Sequence, residues 1–396
     1  MYKNKVFYDK RNAGKNYRRN KINSRKTVEE MRNRNIETLR GFAILLLLFY
    51  HFTITLNIFT SLPFIMLDEA LCQFAMIIFF TISGYGTFLH YQRRTNRGER
   101  IVWWNYGICR FKKIAPPYYT CMAFILLFTS GAVFLSRNGL KSIFIYGCFI
   151  QNLFPSVSGN INGVTWTLAL FMQFYLLSYP VYKSVDKWGW KVYPLYLFAS
   201  LSMNKMICSY ITFKDYPDVY YVIASIRQIF TTIDVFVLGM ICGKTKIPDI
   251  PLRNKNLAAF GAALAVFVLS VAGVVTYWLR TGGVWGDGLQ YYLWKPLINV
   301  AVVIMILFIS PCTVDYDTWY GKPIQFIAKV EYHTYLWHMV LFENLKNTSG
   351  LFNGLAQHFP LGTAIGMMAL SIGVGYISLM LTNNLHFGKR QITVKS

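Results

Sequence analysis

Apolar runs recur along almost the whole chain, many of them near the roughly twenty residues that a helix needs to cross the hydrocarbon core of a bilayer. Only 14% of the 396 residues are charged, against about a quarter in soluble proteins. Together with 54% hydrophobic residues and a mean hydropathy of +0.35, this predicts an all-α, polytopic membrane protein. About ten transmembrane helices are expected, at roughly 36–59, 68–90, 116–136, 164–182, 191–208, 222–243, 256–279, 291–310, 324–346 and 361–382. A further apolar piece, 142–154, is short for a crossing helix. It reads as a re-entrant or interfacial segment, with 155–164 as its loop.

Charge orients the chain. A net charge of +23 would suggest nucleic acid in a soluble protein. Here the basic residues cluster beside spans, as in segments that stay cytoplasmic and attract anionic lipid, so no nucleic-acid partner is expected. The first 35 residues hold 12 Lys/Arg against 3 Asp/Glu, and 91–113 forms a second basic block. Ten crossings leave both termini, 91–113, 183–190 and 243–255 inside. The outer connections 209–221 and 280–290 are mixed in sign. The organisation expected is a disordered basic cytoplasmic tail (1–35), a membrane domain (36–386) and a cytoplasmic C-terminal tail (387–396), in the cell membrane and without a cleaved signal peptide. The seven Cys are scattered, with no C-x-x-C and no His-rich neighbourhood, so neither a disulfide framework nor a metal site is expected.

The ionisable residues within these runs need a reason. Arg40 and His51 are eleven residues apart in the first span, which places them within about 20° of one helix face and about 16 Å apart along its axis. Glu37 shares that face. Such groups normally face a polar interior or cavity; a structural hydrogen bond from His51 to a neighbouring helix is the other reading. In the second span Ser83 and Gly84 allow close helix approach, and Gly86 adds room. Arg110, Lys112 and Lys113 precede Pro116, which suits the first turn of a helix. These cations suit either phosphate binding or positive-inside anchoring. In the ninth span Glu331, Tyr335 and His338 lie at i, i+4 and i+7, on one face. That stripe suits a proton relay or a substrate pocket, while Tyr332, Tyr335 and Trp337 could instead form an interfacial belt. Arg227 and Asp234 repeat the i, i+7 spacing, read as a structural ion-pair network.

In order along the chain, these segments resemble the acyltransferase-3 family of integral membrane acyltransferases. "LRGFAILLLLFYH" matches its Arg-or-Lys, ten residues, His signature on Arg40 and His51. "FFTISGY" (79–85) resembles F-F-x-x-S-G-F, and "RFKKIAP" (110–116) resembles R-x-x-R-I-x-P with Lys113 for the second Arg. "TWTLALFMQFYLLSYP" (165–180) is similar to W-S-L-x-x-E-x-Q-F-Y at Trp166, Leu168, Gln173 and Tyr175, with Phe171 where the family often has Glu. "IDVFVLGM" (233–240) and "EYHTYLWH" (331–338) resemble two later elements, with Glu331 where Ser is usual and therefore the candidate for a relocated carboxylate.

The resemblance implies transfer of an acyl group, usually acetyl, from cytoplasmic acyl-CoA to a hydroxyl of a cell-surface or secreted glycan. The partners implied are acyl-CoA, a glycan or lipid-linked sugar acceptor, and membrane lipids. On that reading His51 and Arg40 are catalytic, and Arg110, Lys113 and Ser83 hold the donor. Trp166, Gln173, Asp234, Glu331, Tyr335 and His338 bind or support the acceptor. The residue chemistry agrees, because neutral imidazole can take a hydroxyl proton or carry an acyl group near pH 7. Ser83 or a backbone N–H can serve the oxyanion. Two other classes use the same polar stripe: a glycan or lipid-linked sugar translocator, and a proton- or cation-coupled carrier working through Glu331, Asp234 and the histidines.

Overall fold

The computed structural model describes residues 36–129, 136–214, 227–245, 254–281, 296–305, 318–319 and 321–392. The N-terminal tail lies outside the described residues. So do the ends of the third and sixth spans, both ends of the eighth, most of the connections 209–221 and 280–290, and the last four residues. Every regular element among the described residues is helical: this is an all-α membrane protein. Four stretches are long and apolar enough to cross a membrane: Ile36–Thr55, Ala70–Asn96, Gly163–Ile211 and Pro360–Asn383.

The helices are α1 (Ile36–Thr55), α2 (Leu62–Asn96), α3 (Asn105–Phe128), α4 (Arg137–Gly147), α5 (Trp166–Trp188), α6 (Tyr193–Phe213), α7 (Ile229–Thr245), α8 (Asn254–Thr281), α9 (Pro296–Met305), α10 (Gly321–Thr348), α11 (Gly350–His358) and α12 (Pro360–Ile392). α2 opens on a proline in its first turn and closes with Arg93 and Arg94 in its last, where cations suit the helix dipole. Glu99 then folds back on Arg94 and Arg97.

α2 and α7 meet at unusually close range. A Cβ at Gly84 would collide with the Phe236 carbonyl, and one at Gly239 with the Thr81 carbonyl, so each helix presents a glycine to the other's backbone. Above this contact Phe174 of α5 stacks on Phe236 with centroids 4.8 Å apart, and Phe80 meets Phe174 edge-on at 5.5 Å. Gly86 is different from expectation. Nothing lies within 4 Å of a Cβ built there, so its small size leaves space open rather than admitting a helix.

A second departure concerns α3. Pro116 does not begin the helix; α3 starts at Asn105 and runs through Pro116 and Pro117. A proline removes one ladder hydrogen bond and crowds the preceding turn, which membrane helices tolerate where side chains satisfy nearby carbonyls. Tyr332 of α10 donates to the Ile114 carbonyl at 2.7 Å, and Thr120 to that of Pro116 at 2.9 Å.

The short apolar segment ends as a helix at Gly147. Ser136 caps its start by accepting from the Gly139 N–H, and Phe149 turns the chain with φ of 57°. Three single 3-10 turns follow before α5 begins. Tyr118 and Tyr119 of α3 donate to the carbonyls of Tyr146 and Gly147 at 3.0 and 2.7 Å, so this segment dips to the middle of α3.

Candidate active site

α1 and α10 run parallel and share one polar seam. At one end Arg40 is paired with Glu331; at the other the His51 and His338 rings lie 5.1 Å apart. The two stripes read from sequence are thus the two walls of one cleft. Glu37 is exposed and lies outside it. Glu331 presents one oxygen to Arg40 and keeps the other buried and unpartnered among the described residues.

The Arg40 end opens into a cavity of about 540 Å³. Arg40, Arg93, Arg110 and Lys113 supply four cations to its wall, with Glu331 the acidic side chain among them. α2 contributes Ser83, Gly86 and Arg93 to this wall; the open space beside Gly86 is part of it. Arg110 is held over the rings of Tyr106 and Tyr175 at 5.0 and 5.5 Å, and its Nε donates to the Tyr106 hydroxyl at 2.9 Å. Ser83 donates to the Tyr175 hydroxyl at 3.0 Å. Its hydroxyl therefore belongs to the wall that fixes Arg110.

A narrow apolar cavity of about 70 Å³ shares Phe79, Leu168, Phe171, Glu331 and Tyr332 with the larger one. It adds Leu47, one turn before His51 on α1, and Tyr335, one turn before His338 on α10. The cationic cavity thus tapers toward the histidines. Phe171, apolar where the resemblance implies a carboxylate, borders both cavities together with Glu331.

His338 is fully buried, and its Nδ1 lies 2.7 Å from the Tyr335 carbonyl. A carbonyl oxygen cannot donate, so Nδ1 carries the proton and Nε2 keeps its lone pair, without a partner among the described residues. Tyr335 is fixed in turn by Thr167 at 2.5 Å and by the Val164 carbonyl. Asn162 donates to the Leu336 carbonyl at 3.0 Å. The loop after α4 therefore packs directly on the histidine end of the cleft. No hydrogen bond is made by the His51 ring among the described residues, and that ring is half-buried. The interfacial-belt reading of this stripe fails: Tyr335 is buried, Tyr332 is committed to α3, and the Trp337 indole donates to Ser378 of α12 at 3.0 Å.

The remaining sequence candidates lie beside the cleft. Gln173 exchanges amide hydrogen bonds with Asn152 at 2.8 and 3.2 Å, bracing the loop. Trp166 lies under the Arg227 guanidinium at 5.3 Å. Among the described residues Arg227 and Asp234 form no ion pair with each other. Asp234 accepts from Ser200 at 3.2 Å and Asn299 at 2.9 Å, joining α6, α7 and α9, and these neutral donors satisfy it locally. The sequence reading passed over Arg93 as a wall residue, although its spacing from Ser83 and Gly86 keeps all three within about 80° of one helix face.

The model of a family described as an acyltransferase domain matches residues 33–380, most of the chain and every element of the cleft. The chain belongs to the acyltransferase-3 family. No curated protein and no solved structure matches it. As a membrane acyltransferase, this chain places the His51–His338 pair beyond a cationic mouth and a narrow apolar neck, among the described residues.

Proposed function

We propose that this membrane acyltransferase moves an acyl group, acetyl in the simplest case, from cytoplasmic acyl-CoA to a hydroxyl of a cell-surface or secreted glycan. The observation that carries this reading is the cationic cavity tapering toward the histidine pair. Four cations suit the phosphates of coenzyme A, the planar guanidinium of Arg110 most of all. The apolar neck suits the thin pantetheine arm, which would carry the thioester toward His51. Arg40 serves both ends of this scheme, facing the cavity while neutralising Glu331. Glu331 then takes over the position left apolar by Phe171.

The acceptor would enter past Trp166 from the side opposite the donor, with Tyr335, Gln173 and Asp234 holding the surrounding helices and loop in place. His51 takes the acceptor's hydroxyl proton, and the buried Nε2 of His338 beside it offers a second site for that proton. The topology that goes with this places the protein in the cell membrane with ten crossings. The cationic mouth and both termini then face the cytoplasm, and the segment before α5 re-enters from outside.

The test needs no knowledge of the acceptor. Purified wild type and His51→Ala are given acetyl-CoA, and free thiol is followed over time. Slow release by the wild type that falls at least about a hundredfold in His51→Ala is the expected result. Release at the wild-type rate in His51→Ala would remove His51 from the chemistry. Silence with acetyl-CoA, succinyl-CoA and added glycan lipid would turn the reading toward sugar translocation.

A further inference from the structure

Arg227 is a guanidinium next to the site with no acidic partner among the described residues. Its Nη1 donates to Ser158 at 3.3 Å, its plane lies over Trp166 at 5.3 Å, and its Nε is buried without a partner among the described residues. Arg40, Arg94 and Arg97, by contrast, are each paired with a glutamate. The chain commits several groups to holding it. Asn152 donates to the Arg227 carbonyl at 3.0 Å and is itself clamped by Gln173, while Gln228 donates to the Asn152 carbonyl at 2.6 Å.

Its position is set through contacts: Arg227 on Trp166, the neighbouring Thr167 on Tyr335, Tyr335 on His338, and His338 on His51. A partly desolvated cation without an acidic partner among the described residues is costly to keep unless an anion meets it at some stage. Ser83 is committed to Tyr175 in the cavity wall.

We propose that Arg227 donates to the oxyanion that develops as the thioester is attacked; this rests on the acyl-CoA reading above. As the acceptor oxygen bonds to the thioester carbon, the carbonyl π pair moves onto oxygen and the hydroxyl proton passes to His51. The intermediate then re-forms the carbonyl and breaks the C–S bond, and the departing thiolate takes the proton from His51. Arg227 meets the oxygen while it is negative, which is where a preorganised donor acts most strongly.

The experiment compares binding of coenzyme A with binding of an analogue whose thioester carbonyl is replaced by a tetrahedral, anionic phosphonate. The full chain is used, as wild type, Arg227→Gln, Arg227→Lys and Ser158→Ala. Arg227→Gln is expected to lose about a hundredfold in phosphonate affinity and in thiol release while keeping its coenzyme A affinity, with part of the loss recovered in Arg227→Lys. Phosphonate affinity and thiol release within about twofold of wild type in Arg227→Gln would overturn the proposal, as would an equal loss for both ligands, which marks a brace of the fold alone. If Arg227→Gln does not fold, the other two variants decide. Ser158→Ala frees the guanidinium and is expected to lose phosphonate affinity about fivefold, and selectivity unchanged in both variants would overturn the proposal. Wild type that binds neither ligand defeats the donor reading itself, and the Arg227 proposal with it; wild type that binds both isolates the Arg227 question.

Discussion

At the residue scale the cleft depends on compensated charge. Glu331 is almost fully buried and Arg40 is its only ionic partner among the described residues, whereas the Arg40 side chain is 39% exposed. Removing the guanidinium leaves a desolvated carboxylate, and removing both leaves neither. Arg40→Met is therefore expected to lower unfolding stability by about 3 kcal/mol, and Arg40→Met with Glu331→Gln to recover most of it. Thermal unfolding in detergent reads the stability. Thiol release is expected to stay low in both variants, because the mouth of the cavity has lost a cation either way. Full recovery of release in the double variant would reduce Arg40 to a structural partner of Glu331. The spacing of Arg40 and His51, and of Glu331, Tyr335 and His338, was readable in the sequence because a helix turns by a fixed angle per residue. That the two stripes face each other was not. Helix pairing depends on contacts 291 residues apart, such as Arg40 with Glu331, and no local period encodes them.

At the scale of elements, α2 and α7 hold the wall of the cationic cavity through two glycines. Gly84→Leu inserts a side chain against the Phe236 carbonyl, where the neighbour is backbone and cannot swing aside. The expected result is a loss of about 3 kcal/mol or more, seen as a lower unfolding temperature and poor recovery from detergent. Gly86→Ala, two residues on and facing open space, is expected to change stability little. An equal effect of both changes would contradict the close α2–α7 contact. Boundaries were the least legible part of these elements. α3 begins eleven residues before Pro116 and runs through the proline pair, where Tyr332 and Thr120 donate to the nearby Ile114 and Pro116 carbonyls, a packing that no local signal announces. Similarly, the loop after α4 reads as polar and turn-rich in sequence. Its Asn152, Ser158 and Asn162 do their work by bonding to Arg227 and to the Leu336 carbonyl, partners that only the fold brings near.

For the whole molecule, an asymmetric cleft is the main consequence of the architecture. Cations gather at the Arg40 end, where α1, α3 and α10 start and where α2 finishes, while the loop after α4 covers the histidine end. The membrane character and the family were legible from long apolar runs and from an ordered set of short motifs. Sidedness of the reaction follows from placing the basic mouth in the cytoplasm. Sealed vesicles of both orientations, given membrane-impermeant acetyl-CoA on the outside, test this most directly by the rate of thiol release. The account predicts release from vesicles that expose the cytoplasmic face, none above background from the opposite orientation, and loss of the signal in His51→Ala. Equal release from both orientations, or release that survives in His51→Ala, would contradict it.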